Sequence, residues 1–491
     1  MSGSAVLHVT SMPGGGVNRH IGDVSRAVPR PHVVWHVGGG GEVIERAAAT
    51  PRYAVLAQGA HERHGEALAD WLRRLGVGVI HAHSVQQAPR ARAAWAARAL
   101  GVPVVATLHD VLFMRPDGFE PGAPRHPDPA WLEDTATFLA SAAARVAPSQ
   151  YLAQLAMAHL HGQQVVVIPN GSPPRQPSVQ RAARAEFLAR RPPRVAAVLG
   201  AIGPHKGARV LEEVAARLAG SDIAIAVIGY LDAQTDPGWR SPHLFVHGAT
   251  QDEEHAALLH AYGAQLALFP NQAPESFSYA LSDVWDAALP ALVPPEGALA
   301  ERVLRHGGGW LLPAGFGAAD IERELRRLLS PEAAADLARV RSQLSRDDPP
   351  RVPRIPEMAR SLEALYARFA LDPAGGLDPH APPAQSLLAT SLDGSLFRHE
   401  LVRLADEHAQ LKAGLEAERR QAARFESEAR EWIAKLERDV AALQEQLRQE
   451  FAARERLAAE VERLRPESDA LRRLPAWLRR WLLRKSRDAR R

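Results

Sequence analysis

Over roughly the first 345 positions, apolar residues fall in short, nearly unbroken runs. The first half offers AVLHVT, HVVWHV, YAVLAQ, GVGVIHAHS, VPVVATLHD, RVAPS and QVVVIPN. The second offers RVAAVLGAIG, IAIAVIGY, HLFVHG, QLALFP and PALVPP. Runs without strict alternation are what parallel strands covered on both faces look like. Between them lie helical stretches such as EALADWLRRLG and ARVLEEVAARLAG, each stopped by a glycine. The pattern predicts a doubly wound α/β chain. It restarts after a polar break at 172–193, which gives two Rossmann-like domains, 1–175 and 176–348, with ligands expected at the carboxyl ends of the strands.

Beyond that core the pattern changes. Residues 372–395 are rich in Pro and Gly and read as a linker. From Phe397 to Leu464 apolar positions recur in steps of four and three, through Leu401, Leu404, Leu411, Leu415, Phe425, Trp432 and Leu436. The spacing predicts a coiled coil over 396–465, a rod of roughly 100 Å that would make the chain a homo-oligomer. His408 and Glu418 interrupt the apolar seam, and the step from Leu436 to Val440 adds a stutter. A single charged helix is the plainer reading. The tail 466–491 puts Leu474, Trp477, Leu478, Trp481 and Leu482 on one helical face among arginines. It suits either an anionic membrane surface or a solvated helix end.

Composition narrows the class. The chain has no cysteine, so disulfide frameworks and thiolate metal sites are excluded. Its start has neither the basic nor the apolar segment of a signal peptide, and no stretch has the length of a membrane span. A cytoplasmic protein is expected, with peripheral attachment at the inner face of the plasma membrane through the tail. The net charge of +3 is unevenly placed: residues 472–491 carry nine Arg/Lys and one Asp, leaving −5 for the rest. A general nucleic-acid surface is therefore not expected.

Three stretches carry candidate chemistry. MPGGGVNRHI follows the first strand and opens a helix. It is not the G-x-G-x-x-G of a dinucleotide site, and no acid ends the second strand, which argues against hydride transfer. Its glycines, Gly15 and Gly16 among them, still let backbone amides approach a phosphate or sugar; a tight turn is the alternative. LGAIGPHKGARVLEEVA repeats the device at Gly203, His205 and Lys206, where a cation beside a helix start suits a diphosphate. A solvated lysine is the alternative there. PESFSYALSD predicts a helix over 276–289 with Glu275 or Ser276 at its first turn, as capping alone would explain. Capping leaves Asp283 unexplained. On a helix the two carboxylates would stand roughly 80° and ~12 Å apart, too far for an acid/base pair but able to grip one long ligand. His81 and His83 share a strand face, but a zinc pair would need further ligands; satisfied structural histidines are expected and no metal site.

The ordered set formed by the GGG loop, VIHAHS, TLHD, VAPSQYLAQ, VIPNG, the lysine loop and PESFSYALSD resembles the retaining GT-B glycosyltransferases of the large group 1 family (family 4). The likeness spans about 5–370. It implies two Rossmann-like domains facing a cleft, acceptor domain first and nucleotide-sugar domain second, with 349–371 a helix returning to the first. It implies Lys206 on the donor diphosphate, Glu275 facing the donor sugar, and the amides of Phe277, Ser278 and Tyr279 near sugar and phosphate. Asp283 would meet the ribose, His109 would line the sugar site, and Gly15 and Gly16 would face the diphosphate. Two positions depart from the pattern: Ala201 stands where an arginine is usual, and Asp283 where a glutamate is.

The expectation is a retaining, metal-independent hexosyltransferase without a cofactor. It moves sugar from a nucleotide-sugar to a hydroxyl on a glycan or lipid-linked acceptor, in cell-surface polysaccharide synthesis. A degenerate GT-B domain serving a coiled-coil scaffold, or a GT-B phosphorylase or epimerase, are the alternatives.

Overall fold

The computed structural model describes residues 3–11, 15–38, 41–47, 53–57, 59–116, 126–174, 181–190, 192–231, 236–346, 351–372, 378, 380–388, 475–476 and 480. They form two α/β lobes, each built on one sheet. The first sheet contains β1 (Ala5–Ser11), β2 (His32–Gly38), β3 (Gly41–Arg46), β4 (Tyr53–Leu56), β5 (Val77–Ala82), β6 (Val104–Thr107), β7 (Ala144–Ala147) and β8 (Val166–Val167). Their order is β4-β3-β2-β1-β5-β6-β7-β8. The second contains β9 (Arg194–Ile202), β10 (Ile223–Leu231), β11 (Gly238–Ser241), β12 (Leu244–Val246), β13 (Leu266–Leu268), β14 (Ala291–Val293) and β15 (Gly309–Leu311), in the order β11-β12-β10-β9-β13-β14-β15. In both sheets the order reverses beside the first strand, so the crevice at the strand ends opens there. Six helices position the site and are labelled in chain order: α1 (Gly15–Ala27), α2 (Gln150–His159), α3 (Ala208–Arg217), α4 (Tyr279–Asp286), α5 (Gly297–His306) and α6 (Ile355–Phe369).

Most of the continuous apolar runs became parallel, buried strands: every residue of β5 is buried, and all but the last of β1. YAVLAQ instead forms β4, an antiparallel edge, and QVVVIPN the short β8 with Val166 exposed. Strands with mixed patterns escaped the reading. β3 (GEVIER) runs antiparallel between β2 and β4, and β11 is an antiparallel edge. In β3 the buried positions include Glu42 and Arg46, which hides the strand from a hydrophobicity pattern. Glu42 accepts from the Trp35 indole at 2.9 Å and pairs with Arg92 at 2.8 Å.

α6 packs Met358, Ala359, Leu362 and Tyr366 onto Val6, Val79, Val105 and Val146 of the first sheet. A two-pronged ion pair from Arg30 to Glu363, both arms 2.7 Å, pins its outer face. The chain crosses between lobes twice, and the crossings run together. The Ser172 amide donates to Pro353 O at 2.9 Å and the Ile355 amide to Ser172 O at 3.1 Å. A Cβ on Gly171 would stand 2.5 Å from Ile355 Cα, so only glycine permits that approach.

The stretch read as a linker is partly docked. Ala381 and Leu387 are fully buried in the first lobe's core. The Ala381 carbonyl accepts from Arg46 at 2.9 Å and from the Trp71 indole at 2.8 Å. Proline and glycine mark irregular backbone, and irregular backbone still docks where two apolar side chains and one carbonyl find buried partners. The predicted coiled coil 396–465 lies outside the described residues, as does the tail 466–491 apart from Pro475, Ala476 and Arg480. No helix among the described residues is long and apolar enough to cross a membrane.

Candidate active site

Two loops of the second lobe build one wall of the cleft. β9 ends at Ile202, and Gly203 opens a single turn, Pro204–Lys206, before Gly207 starts α3. Gly207 has φ +88°, and a Cβ there would lie 2.2 Å from Pro270 O. The close approach lets the His205 carbonyl accept from the amides of Gln272 and Ala273, at 2.9 and 3.2 Å. The lysine loop and the 270–275 loop are thus tied together, and Lys206 Nζ comes within 3.8 Å of Glu275 Oε1. Asn271 donates to the same oxygen at 2.8 Å. Gly297 backs the loop: its φ is +84°, a Cβ there would stand 2.9 Å from the Glu275 amide, and the Ala298 amide bonds Glu275 O at 2.8 Å.

Glu275 is not in a helix. The predicted helix over 276–289 begins instead at Tyr279, capped by the Ser278 hydroxyl, which accepts from the Leu281 amide at 3.3 Å. Ser278 sits at φ +72°, ψ 97°, a conformation costing roughly 1–3 kcal/mol that persists only where surroundings impose it. Arg302 imposes it. From α5 this buried guanidinium donates to Phe277 O at 3.3 Å, Ser278 O at 2.8 Å and Ser282 Oγ at 2.9 Å. Burial lowers its pKa to about 10, which leaves it charged at neutral pH. Carbonyls of 277 and 278 are therefore turned toward α5. Both the capping account of Glu275 and the helical separation of Glu275 from Asp283 fail, because the strained turn at Ser278 ends the extended loop three residues later than the pattern predicts.

Asp283 is engaged. His255 Nδ1 lies 2.8 Å from its Oδ2, and Arg19 of the first lobe lies 3.6 Å from Oδ1. Arg19 also pairs with Asp252 at 3.0 Å and stands 4.2 Å over the Tyr279 ring. Gly16, one helical turn before it, faces the same ring: a Cβ there would meet it at 3.5 Å. A Cβ on Gly15, at φ +63°, would meet nothing within 4 Å. Other contacts close the lobes: Ser276 donates to the His109 carbonyl, and Glu301 accepts from the amides of Gln150 and Tyr151 at the start of α2, at 3.1 and 2.6 Å. Ala201 is exposed at the end of β9 and His205 is exposed in the lysine loop.

His109 stands just past the carboxyl end of β6, half-buried, in a cluster with His8 of β1, His32 at the start of β2, His81 and His83 at the end of β5, and His20 of α1. Nδ1 of His83 lies 3.0 Å from His109 Nε2, Nδ1 of His8 lies 2.8 Å from His83 Nε2, and Nδ1 of His32 lies 2.9 Å from His8 Nε2. Burial lowers the pKa of all four, well below the usual histidine range for His8, His83 and His109. His81 meets Tyr366 and Thr107 hydroxyls, each at 2.6 Å. His8, His81 and His83 bring ligand atoms within 4.8 Å of one another, as do His20, His83 and His109, and Asp252, His255 and Asp283. The additional ligand that a His81/His83 pair needs is thus at hand in His8. The His8 and His83 nitrogens are already engaged in the hydrogen bonds above, as satisfied structural histidines are.

Asp110, next along, is exposed and accepts from the Leu112 amide at 2.8 Å. Sequence reasoning missed Arg19, Asn271, His255 and Arg302, which carry no periodic signal; Asn271 acts four residues along the chain, and the other three act on partners far from them.

Residues 14–176 match the family model described as Glycosyltransferase Family 4. That stretch resembles the family, and the two lobes together have the GT-B fold. The matched span lies in the first lobe; likeness to solved structures extends over both. HepE of Anabaena, solved with UDP and glucose, is 14% identical with a TM-score of 0.55, over 74% of this chain and 100% of HepE. Sucrose-phosphate synthase of Thermosynechococcus elongatus is 16% identical with a TM-score of 0.53, over 74% of this chain and 98% of its own. No curated protein matches the sequence.

Proposed function

We propose that this GT-B protein transfers a sugar, with retention, from a nucleotide-sugar to a hydroxyl of a glycan or lipid-linked acceptor. The observation that carries the reading is the pairing of Lys206 with Glu275 at the cleft, 3.8 Å apart, between two loops held together by backbone hydrogen bonds. A cation beside the start of α3 neutralises a leaving diphosphate as charge builds on it, without a metal ion. Tyr279 opens α4 and Gly15 and Gly16 open α1, and the unpaired amides of such helix starts suit a phosphate. Glu275, fixed by Asn271, accepts from a sugar hydroxyl, while His109 lines the sugar pocket from the opposite lobe. The attacking hydroxyl enters on the face the diphosphate leaves, and no protein nucleophile is assigned. HepE has been solved with UDP-glucose, which makes that donor the first to try.

Calorimetry with UDP-glucose and GDP-mannose should give saturable binding by one of them. Lys206→Ala and Glu275→Ala should each lower transfer by about a hundredfold or more, since charge stabilisation of that kind is worth roughly 3 kcal/mol. Full transfer by the double variant would end the assignment. A second reading, a catalytically silent GT-B scaffold, draws on Ala201 and on an Asp283 already held by His255 and Arg19. The absence of any nucleotide-sugar binding would favour it. Residues 396–465 are proposed to oligomerise the enzyme and the basic tail to hold it near an anionic surface. Light scattering after deletion of 396–491 and flotation of 466–491 with anionic liposomes test these separately.

A further inference from the structure

Four imidazoles in the first lobe lie in one line. From the buried end they are His32, His8, His83 and His109, with successive nitrogens 2.9, 2.8 and 3.0 Å apart. Ring centres are 5.1, 5.1 and 5.2 Å apart at interplanar angles of 25°, 30° and 25°. The nitrogens therefore lie between the ring centres and the rings meet edge to edge, as hydrogen bonds in the ring plane require.

Such a chain has a direction, and one end fixes it. His32 Nε2 lies 3.2 Å from the Val28 carbonyl, which can only accept. Nε2 of His32 therefore carries the proton, and in a neutral ring its Nδ1 must accept from His8 Nε2. His8 Nδ1 then accepts from His83 Nε2, and His83 Nδ1 from His109 Nε2. All four rings are the Nε2–H tautomer, and His109, the half-buried outer member of the chain, has no proton on Nδ1. Reversing the chain would set a lone pair of His32 against the Val28 carbonyl, costing one hydrogen bond and adding repulsion. Burial keeps the four rings neutral, which removes the alternative of a charged member donating both ways.

We propose that His32, His8 and His83 are positioning residues that lock His109 as a hydrogen-bond acceptor, so that the cleft accepts a neutral hydroxyl against this ring and disfavours a carboxylate. The sorting follows from polarity. A sugar hydroxyl can donate to Nδ1, whereas a carboxylate has only lone pairs to offer and would lose its hydration for nothing. The ligand class rests on the glycosyltransferase reading; the tautomer does not.

The test is nitrogen-15 NMR of the full chain with labelled histidine, the His109 signals identified by their loss in His109→Gln. Wild type should show His109 with a protonated Nε2 and a bare Nδ1 at neutral pH. His32→Leu removes the end that fixes direction, and the Nδ1–H form of His109 should rise by about tenfold, the worth of one hydrogen bond. A protonated Nδ1 in the wild type overturns the lock even if His32→Leu fails to fold, and an unchanged tautomer ratio in a folded His32→Leu does so too. UDP-glucose should shift the Nδ1 signal of His109 to its hydrogen-bonded position and UDP-glucuronate should not. Equal shifts would overturn the sorting. The correct tautomer with neither nucleotide-sugar bound would uphold the lock and remove the sugar as its ligand.

Discussion

Ser278 and Gly207 show how single residues set this site. A side chain at Gly207 meets Pro270 O at 2.2 Å and also strains a backbone at φ +88°, so Gly207→Ala should cost about 2–4 kcal/mol. Urea denaturation would register that loss, together with weaker nucleotide-sugar binding as the lysine loop parts from Glu275. Arg302 acts from behind, holding three groups of the Ser278 turn. Arg302→Met keeps much of the bulk and removes the donors, leaving two carbonyls and a hydroxyl without those partners. It should cost about 2–4 kcal/mol in denaturant titration. Its effect on transfer should exceed that of an equally destabilising core variant such as Leu211→Ala, which leaves the turn intact. Equal effects from the two would mean that Arg302 serves stability alone.

Among the elements, the first lobe depends on chain from far downstream. The 381 carbonyl is the acceptor for both the Trp71 indole and Arg46. A chain ending at 388 should therefore melt as the full core does, whereas one ending at 377 should lose about 2–5 kcal/mol. Scanning calorimetry of the two truncations separates a docked segment from a free tether. α6 makes the same point more strongly, since Leu362 and Tyr366 are fully buried in the first lobe's sheet. The helix followed from the family resemblance, and the irregular chain from its proline and glycine content. The family resemblance implied that the helix returns to the first lobe, but nothing in the sequence said that the Pro/Gly stretch docks there.

For the molecule as a whole, buried neutral histidines set an acid limit. Burial lowers His20 from 6.5 to about 4 and pushes its neighbours the same way. A folded-state value below the unfolded one means the unfolded chain binds protons first. This contribution is therefore complete above pH 6.5 and is lost as pH falls through the window down to about 4. His20 alone should account for about 2 kcal/mol between pH 7 and pH 5. Denaturant titration at the two pH values should show a loss at least that large. His20→Phe should flatten it, while an unchanged slope would place the titration elsewhere.

Neighbouring residues were enough to specify the alternation of buried strands and helices, the restart after residue 172, and the order of glycine loop, lysine loop and Glu275 segment. Those depend on local backbone preference and on which residues leave water, and both are written in neighbouring positions. Tertiary structure alone decided that Glu275 precedes its helix rather than capping it, because the Ser278 turn is imposed by an arginine 24 residues further on. It decided that Asp283 meets Arg19 across the cleft and that a Pro/Gly stretch docks. It also aligned four histidines, from β1, β2 and the turns after β5 and β6, into one chain. Hydrogen bonds between distant residues depend on distances of a few tenths of an ångström, and no spacing along the chain encodes them.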